Sequence, residues 1–112
     1  MLDVWQIKEY VTAEGRSPFS DWLFGLKDKR GRDIVLTRLE RVRRGNFGDC
    51  RFLGKISELR IDFGPGYRVY FSTFKDRVVL LFGGGDKSSQ SKDIEKAQIY
   101  LSDYRRREDE TE

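Results

Sequence analysis

The stretch Glu58–Phe71, ELRIDFGPGYRVYF, decides the fold, because two alternating runs flank a Gly64-Pro65-Gly66 turn and so predict a β-hairpin. Successive strand side chains point to opposite faces, which places Leu59, Ile61 and Phe63 on one side of the first run and Glu58, Arg60 and Asp62 on the other. In the second run Tyr67, Val69 and Phe71 share a face, with Arg68, Tyr70 and Ser72 opposite. A sheet covered on one side buries its apolar face against helices. The other face would then display Arg60, Arg68 and Tyr70 together, and it is the candidate site.

Upstream, Trp5 and Ile7 alternate with polar residues and predict a first strand that buries them. Ser17-Pro18 reads as a helix start, with Ser at the N-cap and Pro at the first helical position. Phe19, Trp22, Leu23 and Leu26 follow as one apolar stripe. Residues 27–32 read as a charged turn around Gly31, and Val35, Leu36, Leu39 and Val42 as the stripe of a second helix ended by Gly45-Asn46. The arginines of that helix, Arg38, Arg41, Arg43 and Arg44, read first as a solvated face and second as a nucleic-acid contact.

Downstream, residues 51–55 lead into the hairpin, and residues 77–82 form an apolar, β-branched run suited to a strand buried on both sides. Gly83, Gly84 and Gly85 are expected to open a loop that continues as DKSSQSKD. Ile94, Ala97, Leu101 and Tyr104 mark a closing helix with Ser91 at its N-cap. The whole is an α+β fold with the helices on one side of an antiparallel sheet, one domain over residues 1–107 and an acidic, disordered tail over residues 108–112. The hairpin predicts that Leu59, Ile61, Val69 and Phe71 are buried against Trp22, Leu23, Leu39 and Leu101.

The chain has 22 lysines and arginines against 19 acids. Four of those acids are Glu108, Asp109, Glu110 and Glu112, which leaves 22 cations against 15 acids, a net of +7, over residues 1–107. A body this basic points to a polyanionic partner, although charges interspersed by sign also suit a merely soluble surface. Cys50 is the sole cysteine, which excludes an intramolecular disulfide and suits a reducing cytosol. The first ten residues lack the pattern of a signal peptide, and no run approaches a membrane span.

There is no histidine, so histidine-activated serine or cysteine catalysis is excluded and the commonest metal ligand is missing. GGGDKSS lacks the spacing of a nucleotide-binding P-loop. It could still hold phosphate through glycine amides and Lys87, or be a flexible reversal. Arg60, Arg68, Tyr70 and Lys87 are residue types that could serve metal-free RNA cleavage, in which cations stabilise the phosphate and other groups handle the protons. The same strand residues also read as a charge-paired sheet face with Glu58 and Asp62.

PFSDWLFGL, RLERVRRGNFGD, ELRIDFGPGYRVYF and LLFGGGDKSSQSKDI, in that order and spacing, resemble the addiction-module killer proteins, a HigB-like branch of the RelE/ParE toxin superfamily. The resemblance implies the toxin of a type II toxin–antitoxin pair, with two N-terminal helices and a C-terminal helix packed on a twisted antiparallel sheet. It implies a cytoplasmic, ribosome-dependent endoribonuclease that cuts mRNA without metal or cofactor, leaving a cyclic or 3′ phosphate. The alternative within the superfamily is a ParE-like, non-enzymatic inhibitor of DNA gyrase.

The implied partners are the ribosome with its mRNA and a cognate helix-turn-helix antitoxin, through which alone operator DNA would be met. By position, Arg68 matches the arginine that such RNases place on the scissile phosphate, Lys87 a basic residue just after the last strand, and Arg60 a strand lysine. Lys92-Asp93 replaces a tyrosine or histidine-containing cluster, which leaves the general base open among Asp93, Tyr70 and Lys87. Arg51, Lys55 and Lys92 are the further cations expected to contact RNA.

Overall fold

The computed structural model describes residues 4–110. The chain runs β1 (Gln6–Glu9), α1 (Pro18–Gly25), α2 (Lys29–Arg43), β2 (Cys50–Phe52), β3 (Ser57–Ile61), β4 (Tyr67–Phe74), β5 (Val78–Gly85) and α3 (Gln90–Glu110), with a 3₁₀ turn, Lys87–Ser89, leading into α3. The five strands form one sheet in the order β1-β5-β4-β3-β2. The fold class is α+β, as expected.

The hairpin forms as its alternation requires. β3 and β4 pair antiparallel with Leu59 opposite Val69 and Arg60 opposite Arg68. The turn between them uses Gly64 and Gly66 at φ of +57° and +81°, a left-handed backbone that side chains disfavour. β1, however, pairs with β5 in parallel, Gln6 with Val78 through Glu9 with Leu81, so the sheet is mixed and not antiparallel. Alternation fixes which face β1 buries but leaves its direction free.

The helices do not share one side. α1 and α2 cover the face that carries Leu59, Ile61, Tyr67, Val69, Phe71, Val79 and Leu81, into which Phe19, Leu23, Val35, Leu39 and Val42 insert. α3 covers the other face, where Ala97 and Leu101 join Tyr10, Ile56, Tyr70, Leu80 and Phe82. Trp22, Leu23 and Leu39 are thus on the expected side, whereas Leu101 belongs to the opposite core. The reason is that β4 and β5 carry large apolar groups on both faces, and each such face gains about 1.5–3 kcal/mol for every Leu-sized side chain removed from water.

Local boundaries follow caps. Ser17 accepts from the Ser20 amide at 3.3 Å and starts α1 as expected. Asp28 accepts from the Gly31 amide at 2.9 Å and starts α2, so the predicted turn over 27–32 becomes the first helical turn. Gly31 is required there because a Cβ would overlap the Asp28 carboxylate and the Tyr67 ring. Gly83, Gly84 and Gly85 are the end of β5 and not a loop, and Asp86, not Ser91, supplies the cap, accepting from the Ser88 amide at 2.8 Å. α3 continues through Glu110, into the stretch expected to be a disordered tail, and Thr111 and Glu112 lie outside the described residues. No helix among the described residues is long and apolar enough to cross a membrane.

Candidate functional site

Alternation along β3 and β4 brings Arg60 and Arg68 side by side on the face that α3 covers only in part. The turn after β5 adds Lys87, whose amide donates to the Pro65 carbonyl in the hairpin turn at 3.4 Å. Together with Asp49, Asp62 and Gly66 these three cations line an open cleft of about 260 Å³. Gly66 is the floor between two of them, since a Cβ on it would stand 3.6 Å from the Lys87 Cβ and 3.9 Å from Arg68 Nη1.

Like charges directly opposite on neighbouring strands repel, and the structure places a carboxylate beside each arginine. Asp49 Oδ1 lies 3.3 Å from Arg60 Nη2. Asp49 is in turn held by Arg38, whose guanidinium donates to the carbonyls of Arg60 (2.5 Å), Phe47 (3.0 Å) and Asp49 (2.9 Å). Arg38 is therefore not part of a solvated helix face, as its run of arginines suggested. It ties α2 to the rim of the cleft.

Glu58 stands behind Arg68. Its side chain is wholly buried, and its Oε2 lies 3.8 Å from Arg68 Nε, whose own side chain is only 11% exposed. The same oxygen accepts from Gln90 Nε2 at 2.7 Å and from the Tyr70 hydroxyl at 3.2 Å. Arg68 is therefore recessed and not freely displayed, although Nη1 stays near the cleft floor. Lys87 is exposed and has no ion-pair partner among the described residues.

Tyr70 shares the face of Arg60 and Arg68 but lies under α3 with no exposure, so it is not displayed with them. Burial, and then the neighbouring Glu58 carboxylate, push its hydroxyl well above the ordinary tyrosine range. A buried phenol so hard to ionise is a poor proton acceptor. Asp93 does not line the cleft either, although it packs over Gly85, the strand partner of Arg68. Its Oδ2 accepts from Ser89 Oγ at 2.5 Å, and its carboxylate fills the space left by the absent side chain of Gly85. Asp93 lines a second cavity of about 410 Å³ with Trp22, Lys96 and Tyr100.

Among the other expected RNA contacts, Arg51 is exposed on the edge strand β2 opposite Glu58, which puts it on the face of the cleft. Lys92 is exposed in the first turn of α3. Lys55 lines a separate cavity with Leu101 and Arg105 and does not join the others. Among the described residues, no three Cys, Asp or Glu side chains gather closely enough to hold a metal ion.

The sequence pattern carries no signal for Asp49 or Gln90, presents Arg38 as one of several helix-face arginines, and presents Glu58 as an exposed charge partner. Alternation did place Glu58 on the face of Arg60, which was the available signal. What it could not supply was the cover from Gln90, 32 residues further along the chain.

No family model matches the chain. It is 45% identical over 95 residues to an uncharacterized protein of Haemophilus influenzae, an alignment that takes in 84% of this chain and 90% of that protein. At that identity and coverage the chain belongs to the same family as the Haemophilus influenzae protein.

Proposed function

We propose that the protein is the toxin of a type II toxin–antitoxin pair, of the HigB-like branch of the RelE/ParE superfamily, and that it acts in the cytoplasm as a ribosome-dependent, metal-independent mRNA endonuclease. The observation that carries this reading is the convergence of Arg60, Arg68 and Lys87, from two strands and a turn, on one cleft beside the hairpin. Three cations lining an open cleft match a phosphodiester bound to a large particle better than they match an enclosed small molecule.

In this mechanism a base takes the ribose 2′-hydroxyl proton, the 2′-oxygen attacks the adjacent phosphorus, the P–O5′ bond breaks, and the departing 5′-oxygen is protonated, giving a 2′,3′-cyclic phosphate and a 5′-hydroxyl. Arg68, held from behind by Glu58, and Lys87 stabilise the charge that grows on the non-bridging oxygens, and Arg60 orients the neighbouring phosphate. Of the three groups open for the role of base, Lys87 lines the cleft, Tyr70 is buried beneath α3, and Asp93 packs over Gly85 beside it. Arg51 and Lys92 extend the cationic path. A helix-turn-helix antitoxin would neutralise the basic body, and complementary charge would speed their association more than it fixes affinity.

Induction of the protein in bacterial cells, followed by primer extension on cellular mRNA, tests the reading. Cuts at positions in register with codons are expected. Intact mRNA accompanied by an SOS response would replace the reading with inhibition of DNA gyrase. Co-expression of the neighbouring small gene should restore growth, and a protein harmless by itself would count against the whole assignment.

A further inference from the structure

We propose that Glu58 is a positioning residue that sets the separation of Arg68 and Lys87, an inference that rests on reading their cleft as the phosphate site. One carboxylate oxygen reaches three residues on two elements: Arg68 on β4, 3.8 Å away, Tyr70 on the same strand at 3.2 Å, and Gln90 at the first position of α3 at 2.7 Å. Gln90 directly follows the turn Lys87–Ser89, so a bond that fixes Gln90 also fixes the turn that carries Lys87. The two cations of the cleft are thereby referred to a single buried point.

A pair built only to stabilise the fold would close into a bidentate fork that satisfies both partners. Here Glu58 Oε1 and Arg68 Nε, both buried, have no hydrogen-bond partner among the described residues. Glu58 therefore holds the guanidinium by charge at a distance and leaves its terminal nitrogens uncommitted. No other described carboxylate forms an ion pair with Arg68. A wholly buried carboxylate is costly to keep, and its position beneath the cleft, tied to both of the elements that carry the cations, is what the cost sustains.

The test is the nuclear magnetic resonance signal of the Arg68 Nε–Hε group in the free protein, in the wild type and in Glu58→Gln. The wild type should show one sharp resonance in slow exchange with water. Glu58→Gln should speed that exchange by about tenfold or more, as the loss of a buried charge partner loosens the group it held, with the amide spectrum of the sheet retained. Equal exchange in the two proteins would overturn the proposal. Should Glu58→Gln not fold, Glu58→Asp, which keeps the charge and withdraws it by one methylene, is expected to speed exchange in the same way, and equal exchange there would overturn the proposal as well.

Single-turnover cleavage on programmed ribosomes supplies a second readout. Glu58→Gln should lower the maximal rate by about tenfold or more with half-saturation unchanged, and its effect should shrink in Arg68→Ala and vanish when Lys87 is replaced as well, because it acts through those two residues. Independent, multiplying losses would mark a purely structural role and overturn the proposal. A wild type that does not cleave RNA would remove the proposed function, while the exchange measurement would still decide the role of Glu58.

Discussion

Arg68 and Gly85 are paired across β4 and β5, and the Asp93 carboxylate of α3 fills the space that a side chain at position 85 would take. The next glycine is constrained from the other face, where the Trp22 indole lies against Gly84, whereas nothing stands within 4 Å of a Cβ on Gly83. Three adjacent glycines in one strand thus have different reasons to be there.

Gly84→Ala and Gly85→Ala should each lose about 1–3 kcal/mol, the usual cost of overpacking. Gly83→Ala should stay within about 0.5 kcal/mol of wild type. Urea denaturation of the three variants checks this, and equal losses at all three positions would contradict the packing described.

Arg38→Ala should lose on the order of 2–4 kcal/mol, because three carbonyls lose a charged donor at once and two of them belong to the segment that carries Asp49. Arg38→Lys should not restore the loss, since a single ammonium cannot reproduce the planar fork. Thermal melting of both variants is the measurement. A fully stable lysine variant would show that charge alone holds the rim.

The hairpin and its faces were legible because alternation over Glu58–Phe71 leaves one way to bury Leu59, Ile61, Val69 and Phe71 together. The apolar run 77–82 already signalled a strand covered on both faces, and that signal, followed further, would have put α3 opposite α1 and α2. The direction of β1 was not legible, since Trp5 and Ile7 face the same core whichever way the strand runs. The recess around Arg68 was hidden for another reason. It depends on Glu58 meeting Gln90, a contact between distant segments that no local pattern encodes.

Stability should depend on pH through Tyr67 and Asp28, whose hydrogen bond of 2.7 Å joins β4 to the cap of α2. The bond to Tyr67 is the main influence that holds the Asp28 carboxyl below the ordinary range, so its stabilisation is present above the unfolded value near 3.8 and is lost as pH falls through the lower folded value. Tyr67 is shifted the other way, from 10.0 up to about 12, chiefly by its bond to Asp28 and then by burial. Its stabilisation is complete below pH 10 and disappears as pH rises towards 12. Tyr67→Phe should remove part of both limbs, moving the acid transition to higher pH and flattening the fall above pH 10, as read by melting temperature against pH.

Arg68 and Lys87 are proposed to act together on a scissile phosphate, and single-turnover cleavage of mRNA on purified, programmed ribosomes puts that joint role to the test. Wild-type protein should cut the mRNA and leave a cyclic phosphate with a 5′-hydroxyl. Arg68→Ala and Lys87→Ala should each slow that step by about a hundred- to a thousandfold, as the loss of one positioned donor does. Lys87→Ala should melt with the wild type because its side chain is exposed. Wild-type rates in both variants, or mRNA left intact by the wild-type protein at saturating ribosomes, would contradict the claim.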